Sequence, residues 1–242
     1  MNQIKQIYDI LAKFYAPQHW WPVTSKGKAN PEYCDGPKNE KQELEVIFGA
    51  ILTQNTSWKN VEKAIINLNK KNLMDAIKII EIDNKNLAEM IKSSGYHNQK
   101  AKKLKNFCAF LLKNYNGSLK NLFGNELQKL RDELLSVNGI GPETADSIIL
   151  YAAKKPIFVV DAYTGRIWSR ITYDEKNNEK SYEGNYGKLQ KLFMESLEQD
   201  TQLFNEYHAL LVELGKNICK KKPLCENCPL NEMCGYAKNR NF

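Results

Sequence analysis

Four cysteines, Cys219, Cys225, Cys228 and Cys234, form a C-x5-C-x2-C-x5-C run close to the C-terminus, and four soft ligands packed this closely constrain the chain end to wrap around something. The chain has six cysteines, and the other two, Cys34 and Cys108, lie far from the run. Cysteines that only fill a core are scattered rather than gathered in one loop. Two disulfides would account for the run in an oxidising compartment. No secretory signal precedes the N-terminal stretch MNQIKQIYDILAKFY, however, so the thiols are expected to stay reduced and the protein to be cytoplasmic. Zinc and iron–sulfur clusters both accept four thiolates. Structural zinc sites favour two short knuckles separated by a longer stretch, whereas one continuous loop presents all four sulfurs here, which fits a small cluster better.

At 242 residues the chain can bury one large core or two smaller ones. Its longest apolar runs, Ile148 to Ala153 and Ile157 to Val160, fall far short of the roughly 20 residues that cross a bilayer, so no membrane partner is expected. The formal net charge is +7, with lysines bunched at Lys100, Lys102, Lys103 and Lys105, at Lys154 and Lys155, and at Lys220 to Lys222. Such bunching suits a polyanionic partner or solvated helix faces, and charge alone does not choose between them.

Apolar residues recur at helical spacing at Leu44, Ile47, Phe48, Ile51 and Leu52, at Val61, Ala64, Ile65 and Leu68, at Leu104, Phe107, Leu111 and Leu112, and at Leu127, Leu130, Leu134 and Leu135. The pattern predicts an all-α protein. Only Ile157 to Val160 reads as a strand, too short and isolated to build a sheet. Breaks at Asn55-Thr56-Ser57, Ser93-Ser94-Gly95, Asn116-Gly117-Ser118 and Asn138 to Pro142 read as caps or turns, and the polar stretches Thr24 to Lys41 and Asp174 to Gly187 as surface loops.

The segment Leu134 to Asp146 joins two helices through Gly139-Ile140-Gly141-Pro142. Glycines two apart allow positive φ and leave backbone N–H groups facing outward, and a helix N-terminus with free amides binds phosphate. Pro142 suits the first helical position, where its missing donor costs nothing. Any tight helix–helix turn could use the same glycines. Some twenty residues on, Asp161 ends the apolar run Phe158-Val159-Val160, where it would serve as a helix N-cap.

Together, the glycine hairpin, the Val-Asp pair at this distance and the four-cysteine loop resemble the endonuclease III superfamily of helix-hairpin-helix DNA glycosylases. Leu52-Thr53-Gln54-Asn55-Thr56, Ser94-Gly95 through Lys102, and Tyr207-His208 through Gly215 fall in the same order, so the likeness runs from about Leu44 to Tyr236. The resemblance implies two helical lobes, residues 43–155 carrying the hairpin and residues 1–42 plus 156–242 carrying the loop at 219–234. It implies a monomer that acts on double-stranded DNA containing a damaged base. By position Asp161 is the catalytic carboxylate that stabilises positive charge on the sugar. Gln54 is the residue that wedges into the duplex, Gly139, Ile140 and Gly141 hold phosphate, Lys100 is a further DNA contact, and Cys219, Cys225, Cys228 and Cys234 bind a [4Fe-4S] cluster.

Two departures from the family pattern matter. Members that also cut the strand carry an imine-forming lysine in the hairpin, and the matching residue here is Glu143, which cannot form an imine. The resemblance therefore implies a monofunctional glycosylase. The first cysteine interval also holds five residues where the family usually has six. Trp20-Trp21-Pro22, the Leu52 to Thr56 stretch, Asn98 to Lys102 and Glu143 together resemble the bacterial 3-methyladenine glycosylase branch. Trp20 or Trp21, with Phe48 opposite, would then sandwich an alkylated purine; otherwise the tryptophans pack and recognise nothing. The competing readings are an oxidised-pyrimidine glycosylase with lyase activity, a mismatch glycosylase, and a non-catalytic DNA-binding module.

Overall fold

The computed structural model describes residues 2–173 and 185–239. Its helices are α1 (Gln3–Phe14), α2 (Glu40–Leu52), α3 (Trp58–Lys70), α4 (Ala76–Glu81), α5 (Asn84–Met90), α6 (His97–Tyr115), α7 (Leu119–Phe123), α8 (Leu127–Ser136), α9 (Pro142–Ser147), α10 (Ala162–Ile171), α11 (Tyr186–Ser196), α12 (Thr201–Asn217) and α13 (Gly235–Lys238). Helix α9 runs on as a π-helical turn over Ile148–Ala152. Many of the starts are set by side chains that accept from first-turn amides, among them Asn39 for α2, Asp75 for α4 and Asp200 for α12. The all-α expectation holds, with one small addition: β1 (Val23–Thr24) pairs antiparallel with β2 (Pro31–Glu32), inside a stretch expected to be plain loop. Of the second expected loop, residues 174–184 lie outside the described residues.

The chain divides into two units. The first, His19–Lys155, is built around α2. Helix α2 buries every residue from Leu44 to Leu52, so it needs neighbours on all sides, and β1, α3, α6, α7, α9 and the π-helical turn supply them. The expected division placed residues 19–42 with the chain ends. They pack here with α2 instead, for two reasons. Thr24 donates its N–H and its hydroxyl to Glu45 on α2, both at 2.8 Å. Trp21 lies against α2 at Gly49, where a Cβ would come within 3.1 Å of the indole Nε1.

The second unit comprises Met1–Gln18 and Pro156–Phe242. Helix α12 packs on α1 and on α10, around rings from Phe158, Phe193, Phe204 and Tyr207, with Phe158 stacked on Phe193 at 4.5 Å. Ile157 to Val160 is buried but forms no strand among the described residues; Gln190 donates to the Phe158 carbonyl at 2.7 Å. The segment delivers Asp161 to the start of α10. Where α10 and α12 approach each other, a Cβ at Gly215 would collide with the Tyr163 ring, so the site demands glycine.

Candidate functional site

In the first unit, the hairpin between α8 and α9 is shaped by Gly139 at φ +99°, a conformation that favours glycine. Ile140 is buried and donates its N–H to Val137 O at 3.0 Å, which anchors the turn to α8. Gly141 caps α9 with no side-chain acceptor, and Pro142 follows at the first helical position. The first-turn amides of α9 therefore face out with no capping side chain, beside the exposed Gly141, Pro142 and Glu143. An uncapped first turn of this kind is able to hold an anion on backbone N–H groups.

Gln54, expected to wedge into the duplex, follows the end of α2, and its amide is held within the chain. Nε2 donates to Gly139 O at 3.0 Å and to Thr144 Oγ1 at 2.9 Å, and Oε1 accepts from Lys103 Nζ. Gln54 thus braces the hairpin from behind. Lys103, whose stem lies where a Gly139 Cβ would go, is marked in the sequence only as one member of a lysine cluster. Lys100, expected to contact DNA, is only 2% exposed. Its ammonium donates to Leu52 O at 2.8 Å and Ser94 O at 2.6 Å, and burial, with Lys103 adding to it, lowers its pKa to about 8. It is a structural clamp between α6 and the end of α2. One turn before it, at the start of α6, Tyr96 stands 67% exposed with a left-handed backbone, an aromatic face turned to solvent.

The three aromatics expected to grip a base differ in access. Phe48 is wholly buried in α2 and Trp21 nearly so, whereas Trp20 is half-buried. Trp21 meets Trp58 edge-on at 5.5 Å and Tyr151 at 5.1 Å, while Trp20 tilts against Tyr151 at 5.9 Å. Of the three, Trp20 alone keeps partial exposure.

In the second unit, Asp161 caps α10. Its Oδ1 accepts from Thr164 N at 2.7 Å and Thr164 Oγ1 at 2.9 Å. These two bonds fix the carboxylate and leave Oδ2 3.8 Å from His208 Nε2 on α12. Burial lowers the His208 pKa, against the pull of Asp161, so the imidazole is neutral and does not cancel the carboxylate's charge. The same helix reaches the cysteine loop at its other end. Arg170 donates to Cys219 Sγ at 3.2 Å and to Lys220 O at 2.6 Å, Arg166 donates to Cys219 O at 2.9 Å, and Cys234 Sγ donates to Arg170 O at 3.4 Å.

The four sulfurs lie within electrostatic reach of one another: burial first, then Cys219, Cys234 and Cys225, push the Cys228 pKa up to about 11. No three or more Cys, His, Asp or Glu side chains among the described residues are drawn tightly enough to hold a single ion. By donor type, four thiolates suit either a small iron–sulfur cluster or a zinc ion. The short first interval is absorbed where Leu224 N donates to Ile218 O at 3.0 Å. Cys108, buried in α6 with its pKa raised by burial, has no part in this loop.

A sequence model described as the HhH-GPD superfamily base excision DNA repair protein matches residues 48–194, a span that includes the hairpin and Asp161. The chain belongs to this superfamily. It is 44% identical to a Methanocaldococcus jannaschii protein designated a DNA repair glycosylase, over 96% of each chain. An endonuclease III–DNA complex, at 23% identity and a TM-score of 0.74, shares the fold over 98% of this chain and 96% of that one. The Helicobacter pylori 3-methyladenine DNA glycosylase bound to 1,N6-ethenoadenine superposes with a TM-score of 0.68 at 26% identity, covering 89% of this chain and 98% of that one. This HhH-GPD chain is a base excision repair DNA glycosylase of the endonuclease III type.

Proposed function

We propose that this glycosylase is monofunctional, and that it hydrolyses the N-glycosidic bond of an alkylated purine such as 3-methyladenine in duplex DNA. The observation that carries the reading is Glu143, exposed in the first turn of α9 at the position where strand-cutting members carry their lysine. With a carboxylate there, no imine joins protein to sugar, and water is the nucleophile. Trp20 supports the purine assignment, since an electron-poor alkylated base stacks well on an indole and this one is partly exposed. The likeness to the Helicobacter pylori enzyme, which binds a modified adenine, points the same way.

In this reading the α9 amides hold a backbone phosphate, with Gln54 and Lys103 keeping the hairpin in shape. Extruding a base costs a few kcal/mol of unstacking. Tyr96 offsets part of that cost by stacking on the bases left behind. Asp161 stabilises the oxocarbenium that develops on the sugar and helps orient the water, and neutral His208 leaves the carboxylate's charge uncompensated. Cys219, Cys225, Cys228 and Cys234 would hold a [4Fe-4S] cluster whose iron–thiolate bonds fasten the loop. The enzyme is proposed to act as a monomer.

The test is product analysis on duplexes carrying single defined lesions. Free methylated purine should appear, with the strand intact until alkali or heat is applied. A covalent adduct formed efficiently by the wild type in borohydride would overturn the monofunctional assignment. Release of oxidised pyrimidines but no alkylated purine would overturn the substrate.

A further inference from the structure

We propose that a lysine-lined cleft at the start of α2 is a second phosphate-binding site, separate from the hairpin. The cleft, of about 450 Å³, lies between the β1–β2 loop, the first turn of α2 and the end of α3, and is lined by Lys26, Lys28, Lys41 and Lys70 with neutral polar groups and no carboxylate. Lys28 stands 3.5 Å from Glu32 and is partly neutralised. Lys26, Lys41 and Lys70 form no ion pair among the described residues, though Lys41 lies within electrostatic reach of the buried Glu45 carboxylate. Like charges gathered in a concavity repel one another, and a bound anion relieves the repulsion.

The rim of this cleft is fixed from beneath. Glu45, 2% exposed, accepts from Thr24 N and Oγ1 through one oxygen, and from Asn69 Nδ2 at 3.0 Å through the other. Gln42 Nε2 donates to Thr24 O at 3.2 Å, and Asn69 Nδ2 also reaches Thr24 Oγ1 at 3.0 Å. A surface loop that served only as a connection would not need a buried carboxylate and two amides to hold one threonine. These bonds fix the ribbon that carries Lys26 and Lys28 across from Lys41 and Lys70. The two acids in the first turn of α2, Glu40 and Glu43, do not line the cleft, and Glu40 accepts from Leu119 N at 2.8 Å.

The cleft and Gln54 lie at opposite ends of α2, whose 13 residues span roughly 20 Å. That distance corresponds to about six nucleotides along one strand. Two sources of phosphate are therefore compatible with the cleft: a nucleic-acid strand running beyond the lesion, or free inorganic phosphate.

The test uses the full chain, with wild type compared against the double variant Lys26→Gln/Lys70→Gln. Inorganic phosphate titrated into wild type should shift the backbone amide resonances of Gly27, Lys28 and Asn39 saturably, and should not do so in the double variant. Affinity is then measured against salt for a duplex ending about three base pairs either side of the lesion and for one of about 30 base pairs. If the strand is the source, the double variant lowers the log–log salt slope on the long duplex by about one to two and leaves the short duplex unchanged. If free phosphate is the source, only the titration separates the two proteins. The exposed pair Lys85→Gln/Lys113→Gln should behave as wild type in both arms. Absence of a saturable shift with phosphate and with the long duplex, or an equal response from the double variant, would overturn the proposal. Base release from the short duplex is scored separately, so failure of the glycosylase reading would be distinguishable from failure of this one.

Discussion

At the scale of single residues, Asp161 combines two tasks: its Oδ1 caps α10, and its Oδ2 is left for chemistry. Asparagine caps helices as well as aspartate but carries no charge. Asp161→Asn should therefore fold normally and bind damaged duplex, while single-turnover base release falls by orders of magnitude. Near-normal release would reduce Asp161 to a cap. Lys100 makes the opposite case, a charged residue whose work is structural. Lys100→Met removes the donor from two buried carbonyls, Leu52 O and Ser94 O, at a cost of about 1–3 kcal/mol for each group left unpaired. The folded Lys100 pKa is lowered to about 8 from 10.5, so between those values the unfolded chain binds more protons. Its contribution to stability therefore grows as pH rises through that window. Denaturant unfolding of wild type and Lys100→Met at several pH values should show the gap widening from pH 8 upward. A pH-independent gap would contradict the assigned protonation.

At the scale of elements, the hairpin holds its shape through Gly139. A Cβ there would meet the Lys103 stem, and φ +99° is strained for any other residue, by about 1–3 kcal/mol. Gly139→Ala should weaken binding to damaged and undamaged duplex alike, because phosphate contacts carry no base information. A loss confined to lesion-bearing DNA, measured by anisotropy, would mean that the hairpin reads the base. The helices themselves were legible because their apolar spacing is regular. The burial of Lys100 was legible too. It lies four residues before Leu104 and seven before Phe107, on the buried face of α6, but the lysine run around it read as surface. Lys103 and Gln54 were not legible as a pair, since they meet across 49 residues of sequence and their contact depends on where Gly139 places its carbonyl. The β1–β2 ribbon, two residues per strand, has too little pattern to read. Glu45, which holds it, looked like one more polar residue on α2.

At the scale of the whole molecule, helix α10 carries Asp161 at one end and Arg170, with its hold on the cysteine loop, at the other. If the four cysteines hold the proposed cluster, Cys225→Ser should therefore cost more than a ligand. We expect loss of the visible absorbance of anaerobically purified protein, lower thermal stability and weaker base release together. Retained iron at about four per chain with unchanged melting would exclude those four thiolates as the cluster's anchor.

The chain path of the second unit bears on how the protein is made. Tyr207 on α12 donates its hydroxyl to Ile4 O on α1 at 2.9 Å, across 203 residues of sequence. At ribosomal speeds of about 5–20 residues per second, α1 emerges roughly 10–40 seconds before the helix it packs against. Its apolar stripe of Ile4, Ile7 and Leu11 must wait in the open while the His19–Lys155 unit is completed. A nascent chain stalled before α12 is thus a natural client for chaperones, and α1, translated well before its partner, is among the last helices to find its place.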